Sequence, residues 1–153
     1  MDKRIAVGSD HGGFDLKQFI LKELERAGHK VYDMGTDTPE SCDYPHVGFE
    51  CASMVSRKKA WVGILICRTG VGMAVIANKL PGVRAGVCGK PDQAVSAREH
   101  NDINVLVLAA DRVSRKDALA TVKAWLKTPA LKGRHAKRVR IIKEYEKKVF
   151  KKT

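Results

Sequence analysis

Seven residues, Cys67-Arg68-Thr69-Gly70-Val71-Gly72-Met73, bring a thiol, a hydroxyl and two glycines together at the end of an apolar run. A thiol that closes a buried strand and opens onto a glycine-rich turn meets successive backbone N–H groups. Together with the following helix these form an anion site, and the same field favours thiolate. A cysteine so placed can act as a base or a nucleophile. The plainer alternative is a small core residue before a tight turn, a description that suits Cys51 and Cys88 better. A second cluster, Gly8-Ser9-Asp10-His11-Gly12-Gly13, sets an acid beside an imidazole, with glycines that admit a ligand close to the backbone. Ser9 or Asp10 could equally cap a helix there.

Two further groupings lie toward the C-terminus. Arg98-Glu99-His100-Asn101-Asp102 ends a helical stretch, where a histidine also suits the helix dipole. In Arg134-His135-Ala136-Lys137-Arg138 the two arginines are four apart, so they share a helix face and can converge on a phosphate. The alternative is a solvated basic face, which fits residues 143–152. Two familiar loops fail. A dinucleotide turn needs G-x-G-x-x-G, but Val75 stands where the third glycine belongs, and Asp10 interrupts the turn after Gly8. A cysteine phosphatase loop needs an arginine six residues after the thiol, where this chain has Met73.

The elements that must carry these residues alternate. Short β-rich runs at 4–8, 29–33, 61–67, 83–88 and 105–109 are separated by segments of helical spacing at 14–27, 45–57, 73 to about 80, 91–100 and 115–127. Gly28 suits a helix end, Pro91 a helix first turn and Ser114 an N-cap. The run 61–67 is almost wholly apolar, as in a central parallel strand covered on both faces. Thr128-Pro129 ends the fifth helix, and 134–150 reads as a last, basic helix. The pattern predicts a single α/β domain over residues 1–153. It is a Rossmann-like three-layer α/β/α sandwich on a five-stranded, mostly parallel sheet. Ligands of such sheets bind at the carboxyl ends of the strands. Asp10 and His100 both sit on segments expected to end at that edge or lead into it.

Composition narrows the function classes. Of 153 residues, 44% are hydrophobic and 30% charged, a globular balance, and no apolar run is long enough to span a membrane. The net charge is +12, of which residues 132–153 carry +8. That asymmetry implies bound anions. The four cysteines form no C-x-x-C pair, and the N-terminus has no secretory pattern, so free thiols and a cytoplasmic location are expected.

Taken together, the stretches GSDHGG (8–13), DYPH (43–46), GILICRTGVGMAVIANK (63–79), GVRAGVC (82–88), HNDINVL (100–106) and GRHAKRV (133–139) resemble the type B ribose-5-phosphate isomerases. The likeness runs in order along nearly the whole chain. It implies an aldose–ketose isomerase interconverting ribose 5-phosphate and ribulose 5-phosphate through a cis-enediolate, without metal or cofactor. It implies a homodimer or a dimer of dimers whose sites are shared between subunits, with the helix at about 134–150 packing on a partner subunit. By position, Cys67 matches the family's base, and Thr69 with the backbone of Gly70, Val71, Gly72 and Met73 its oxyanion donors. Asp10 and His100 match the ring-opening residues, with Asn101 nearby. Tyr44 matches a pocket residue, and His11, Arg112, Arg134 and Arg138 the phosphate binders. Many members have glycine where this chain has Arg68, which bears on the preferred sugar. Residues 71–77 hold no carboxylate, which favours the subtype with a cysteine base.

Two alternatives stay open. One is isomerisation of a six-carbon sugar phosphate, allose 6-phosphate or galactose 6-phosphate. The other is non-catalytic binding of a phosphate or nucleic acid through the basic tail. No aromatic-rich RNA motif or helix-turn-helix pattern supports the nucleic-acid partner.

Overall fold

The computed structural model describes residues 3–151. Five strands, β1 (Ile5–Ser9), β2 (Val31–Asp33), β3 (Val62–Cys67), β4 (Ala85–Val87) and β5 (Val105–Ala109), form one sheet in the order β2-β1-β3-β5-β4. All four pairings are parallel, with Ser9 level with Ile66 and Cys67 level with Ala109. Six helices accompany them: α1 (Phe14–Arg26), α2 (Tyr44–Ser56), α3 (Val71–Ala77), α4 (Pro91–Asn101), α5 (Arg115–Lys127) and α6 (Arg134–Phe150). A single 3-10 turn, His11–Gly13, leads into α1.

The two faces of β3 explain its unbroken apolar sequence. Ile64 and Ile66 pack with Leu16, Ile20, Val122 and Trp125 beneath α1 and α5. Leu65 and Cys67 pack with Cys51, Val55, Met73 and Ala77 beneath α2 and α3. Alternate side chains of one strand thus feed two cores, as a doubly covered sheet requires. This is the expected three-layer sandwich, and the order reverses beside β1, the position where such sheets bind ligands.

Local signals set the ends. Gly28 has φ +83°, and His29 N–H returns to Leu24 O at 3.0 Å. His29 therefore closes α1, and β2 begins later than the β-rich run suggests. Likewise Val83 N–H bonds Leu80 O at 3.2 Å, so Val83 belongs to the turn after α3. Asn78 then ties α3 to β4, its amide donating to Ala74 O and Ala85 O and its oxygen accepting from Ala85 N–H. Ser114 Oγ caps α5 by accepting from Asp117 N–H at 3.1 Å.

α6 lies along the amino-terminal edge of the sheet. Its first turn stacks on the end of α4, its only buried residue is Val139, and Glu146 accepts from Gly82 N–H at 2.8 Å just before β4. Ile142, Tyr145 and Val149 remain largely exposed. Among the described residues no helix is long and apolar enough to cross a membrane.

Candidate active site

At the carboxyl edge of β3 the chain stops pairing and turns sharply. Gly70 takes φ +77°, a conformation costly for any residue with a Cβ, and its N–H donates to Cys67 Sγ at 3.2 Å. That contact strengthens as negative charge gathers on sulfur. Thr69 Oγ1 accepts from Val71 N–H at 3.4 Å, which holds the hydroxyl over the turn. The first ladder bond of α3 runs from Ala74 N–H to Gly70 O, leaving the Gly72 and Met73 amides outside the ladder. Tyr44, the first residue of α2, lays its ring against Gly72. A Cβ built there would stand 2.7 Å from the ring, so a glycine is needed for the two elements to meet. Cys67 is 5% exposed, and Met73 is wholly buried in the core beneath α2 and α3.

Neighbouring strand ends complete this edge. Asp10 is 7% exposed, and its Oδ1 accepts from Gly13 N–H at 3.1 Å, so it does cap the turn before α1. Asp10 N–H also bonds Ile66 O, which fixes it beside the end of β3. His11 Nδ1 accepts from Cys42 N–H at 3.2 Å, which leaves the ring's proton on Nε2. The β5 loop is strapped across by Ala110 N–H to Cys67 O at 2.8 Å and Asp111 N–H to Arg68 O at 3.0 Å, and it carries the exposed Arg112. Asp10, His11, Tyr44, Cys67, Thr69, Gly70, Val71, Gly72, Met73 and Arg112 thus share one sheet edge.

His100, Asn101, Arg134 and Arg138 do not. A helix following a parallel strand runs back against it, so α4 ends where β5 begins. Arg84, just before β4, donates to Asn101 O and Asp102 O at 3.2 and 2.9 Å. The expectation that α4 delivers His100 to the edge holding Asp10 is therefore corrected. From Asp102 to Ala109, level with Cys67, is seven residues, roughly 20 Å at about 3.3 Å per residue in a strand. At the opposite edge the His100 and His135 rings stack with centroids 4.2 Å apart and planes 6° apart. Arg134 and Arg138 flank that stack, both exposed. Burial, then the charges of His100, Arg134 and Arg138, hold the His135 pKa below its ordinary value, with Glu99 opposing them.

The remaining groups near these positions are structural. Arg98 donates to Ile103 O at 2.7 Å and pairs with Asp102 at 3.0 Å, and Arg84 pairs with the same carboxylate at 3.0 Å. Burial lowers the Arg98 pKa. The run at 98–102 is therefore in part a brace between α4 and β5. Cys51 and Cys88 are buried thiols, pushed by that burial up to about 12 and about 11. All four cysteines are free. Among the described residues, no group of three or more His, Cys, Asp or Glu side chains converges as a metal site.

The family model described as Ribose/Galactose Isomerase matches residues 5–142. The chain belongs to that isomerase family. It is 43% identical over 146 residues to ribose-5-phosphate isomerase B of Escherichia coli, covering 95% of this chain and 98% of that one. It superimposes on ribose-5-phosphate isomerase B of Clostridium thermocellum with a TM-score of 0.93 and 46% identity, covering 95% and 99% of the two chains. It superimposes on the Mycoplasma genitalium enzyme with bound ribulose-5-phosphate with a TM-score of 0.91 and 36% identity, covering 94% and 96%. The family resemblance read from the sequence is borne out, as is the fold. His135 lies outside the residues that the sequence marks as candidate site residues. Its stacking on His100 depends on how α6 meets α4, and the only hint in sequence was its place between two arginines.

Proposed function

We propose that this family member interconverts ribose 5-phosphate and ribulose 5-phosphate, with Cys67 as the base. The observation that carries the reading is the Cys67 thiol at the end of β3, held by Gly70 N–H beside a turn with spare backbone donors. The bound ribulose-5-phosphate of the Mycoplasma genitalium relative supports a five-carbon substrate. The thiolate takes the proton from C2 of the open-chain aldose, and the electron pair forms the C1–C2 double bond of a cis-enediolate. The proton returns to C1, and the hydroxyl proton passes between O2 and O1. Charge grows on the substrate oxygens in this step, where the Thr69 hydroxyl and the Gly72 amide, left outside the α3 ladder, would receive it. The reading calls for no metal or cofactor.

Asp10 and His100 open the sugar ring in this reading, and His11, Arg112, Arg134 and Arg138 hold the phosphate. The gap of roughly 20 Å between the two edges is too long for a pentose phosphate to bridge within one chain. The site is therefore completed by a second copy, which brings His100, Asn101, Arg134 and Arg138 to the Cys67 edge of its partner, with α6 packing across the interface. An isologous pair would build two such clefts.

A coupled assay of the purified protein against ribose 5-phosphate, allose 6-phosphate and galactose 6-phosphate tests the proposal. Turnover greatest with ribose 5-phosphate, and lost in Cys67→Ala, is the expected result. Preference for a six-carbon substrate would move the assignment to hexose phosphates. Binding without turnover of any of the three would overturn the catalytic reading.

A further inference from the structure

Arg68 follows Cys67 directly, yet none of the roles above uses it. Its side chain leaves on the side away from the Cys67 core, toward the turn before α1. The stem lies flat over Gly12: a Cβ built there would be 2.5 Å from Arg68 Cγ and 3.2 Å from Nε. The missing side chain at position 12 is the space the arginine occupies. The guanidinium then reaches the β5 loop, with Nη1 3.7 Å from Asp111 Oδ2. Arg68 therefore arches across the end of β3, from the loop that carries His11 to the loop that carries Arg112.

The contact with Asp111 is loose. At 3.7 Å it is longer than a hydrogen bond, and the two side chains are 63% and 49% exposed. Exposed pairs of this kind contribute little. A phosphate monoester offers a dianion whose oxygens match the guanidinium fork, a stronger partner than a distant, solvated carboxylate. The backbone under the pair stays fixed in either state, because Asp111 N–H bonds Arg68 O at 3.0 Å.

We propose that Arg68 is a substrate-binding residue that exchanges Asp111 for the phosphate of the bound sugar. This rests on the isomerase reading above. Asp111 acts as a competitor for the cation, so removing either partner shifts affinity in opposite directions. Arg68→Gln keeps the stem over Gly12 and deletes the charge. It raises KM, and the Kd of inorganic phosphate, by at least about fivefold, with kcat changing less than about twofold. Asp111→Asn lowers both constants by about two- to fivefold, and that gain disappears in the double variant.

Steady-state kinetics on the sugar phosphate that turns over, with calorimetric titration of inorganic phosphate into all four proteins, provides the test. An unchanged phosphate Kd in Arg68→Gln overturns the proposal. So does an Asp111→Asn gain of equal size in both backgrounds, since Asp111 would then act as a bare charge. A loss in Asp111→Asn like that in Arg68→Gln would make the pair a structural brace. Absence of turnover in the wild-type protein would remove the isomerase reading, while the phosphate titration would still decide the role of Arg68.

Discussion

Mixing two inactive variants tests whether a cleft is built from two chains. Cys67→Ala removes the proposed base at the carboxyl edge of β3, and Arg134→Ala removes a proposed phosphate binder on α6 at the amino edge. If each cleft takes Cys67 from one chain and Arg134 from the other, a mixed dimer has one cleft carrying both lesions and one carrying neither. Random exchange makes about half of the dimers mixed, and each mixed dimer has one intact site of two. Activity then recovers to roughly a quarter of the wild-type value per site. The assay is the coupled isomerase rate after co-refolding of the two variants, with native mass spectrometry measuring the mixed fraction. Recovery should scale with that fraction. No recovery, with mixed dimers demonstrated, would mean that both residues serve within one chain and that the edge-to-edge separation has been misjudged.

Cys67→Ala is expected to lower kcat by more than ~10²-fold without loss of the folded circular dichroism signal, and Cys67→Ser nearly as much, because a hydroxyl is a far weaker base. Arg134→Ala and Arg138→Ala should each weaken sugar-phosphate binding by about 1.5–3 kcal/mol, whereas Lys147→Ala, exposed farther along α6, and Lys151→Ala, exposed just past its end, should change KM little; equal effects from all four would leave only a generally basic face. The lowered His135 pKa means that the folded state binds fewer protons than the unfolded one. Its contribution is present above the ordinary histidine range near ~6.5 and is lost as pH falls through the lowered value. Protection factors for amides 137–141 should therefore drop in acid in the wild type and not in His135→Gln, read by hydrogen exchange corrected for intrinsic rates. Iodoacetamide at pH 8 should leave Cys51 and Cys88 unmodified until the protein is unfolded, since burial keeps both protonated, as peptide mass mapping would show.

The alternation of apolar strands and amphipathic segments, the all-apolar 62–67 run, and the capping signals at Gly28, Pro91 and Ser114 were legible because they act over a few residues. The motifs around Cys67 and Asp10 were legible as tight turns, since each sets glycines just past a strand and before a helix. Their roles as base and acid stay with the proposal. Other features depended on contacts between distant segments. Whether residue 29 extends a strand or closes a helix depended on a bond back to Leu24. The Tyr44 ring against Gly72 and the Arg68 stem over Gly12 required elements brought together by the sheet. The direction of α4 decided most. A parallel strand forces its following helix to run back, so His100 arrives at the amino edge and meets His135 there. Sequence order determined which side chains exist and which local turns hold them. The handedness and direction of packing decided that the candidate residues of one chain lie at two opposite edges of the sheet, because a residue's edge is set by the path of its element and not by its spacing along the chain.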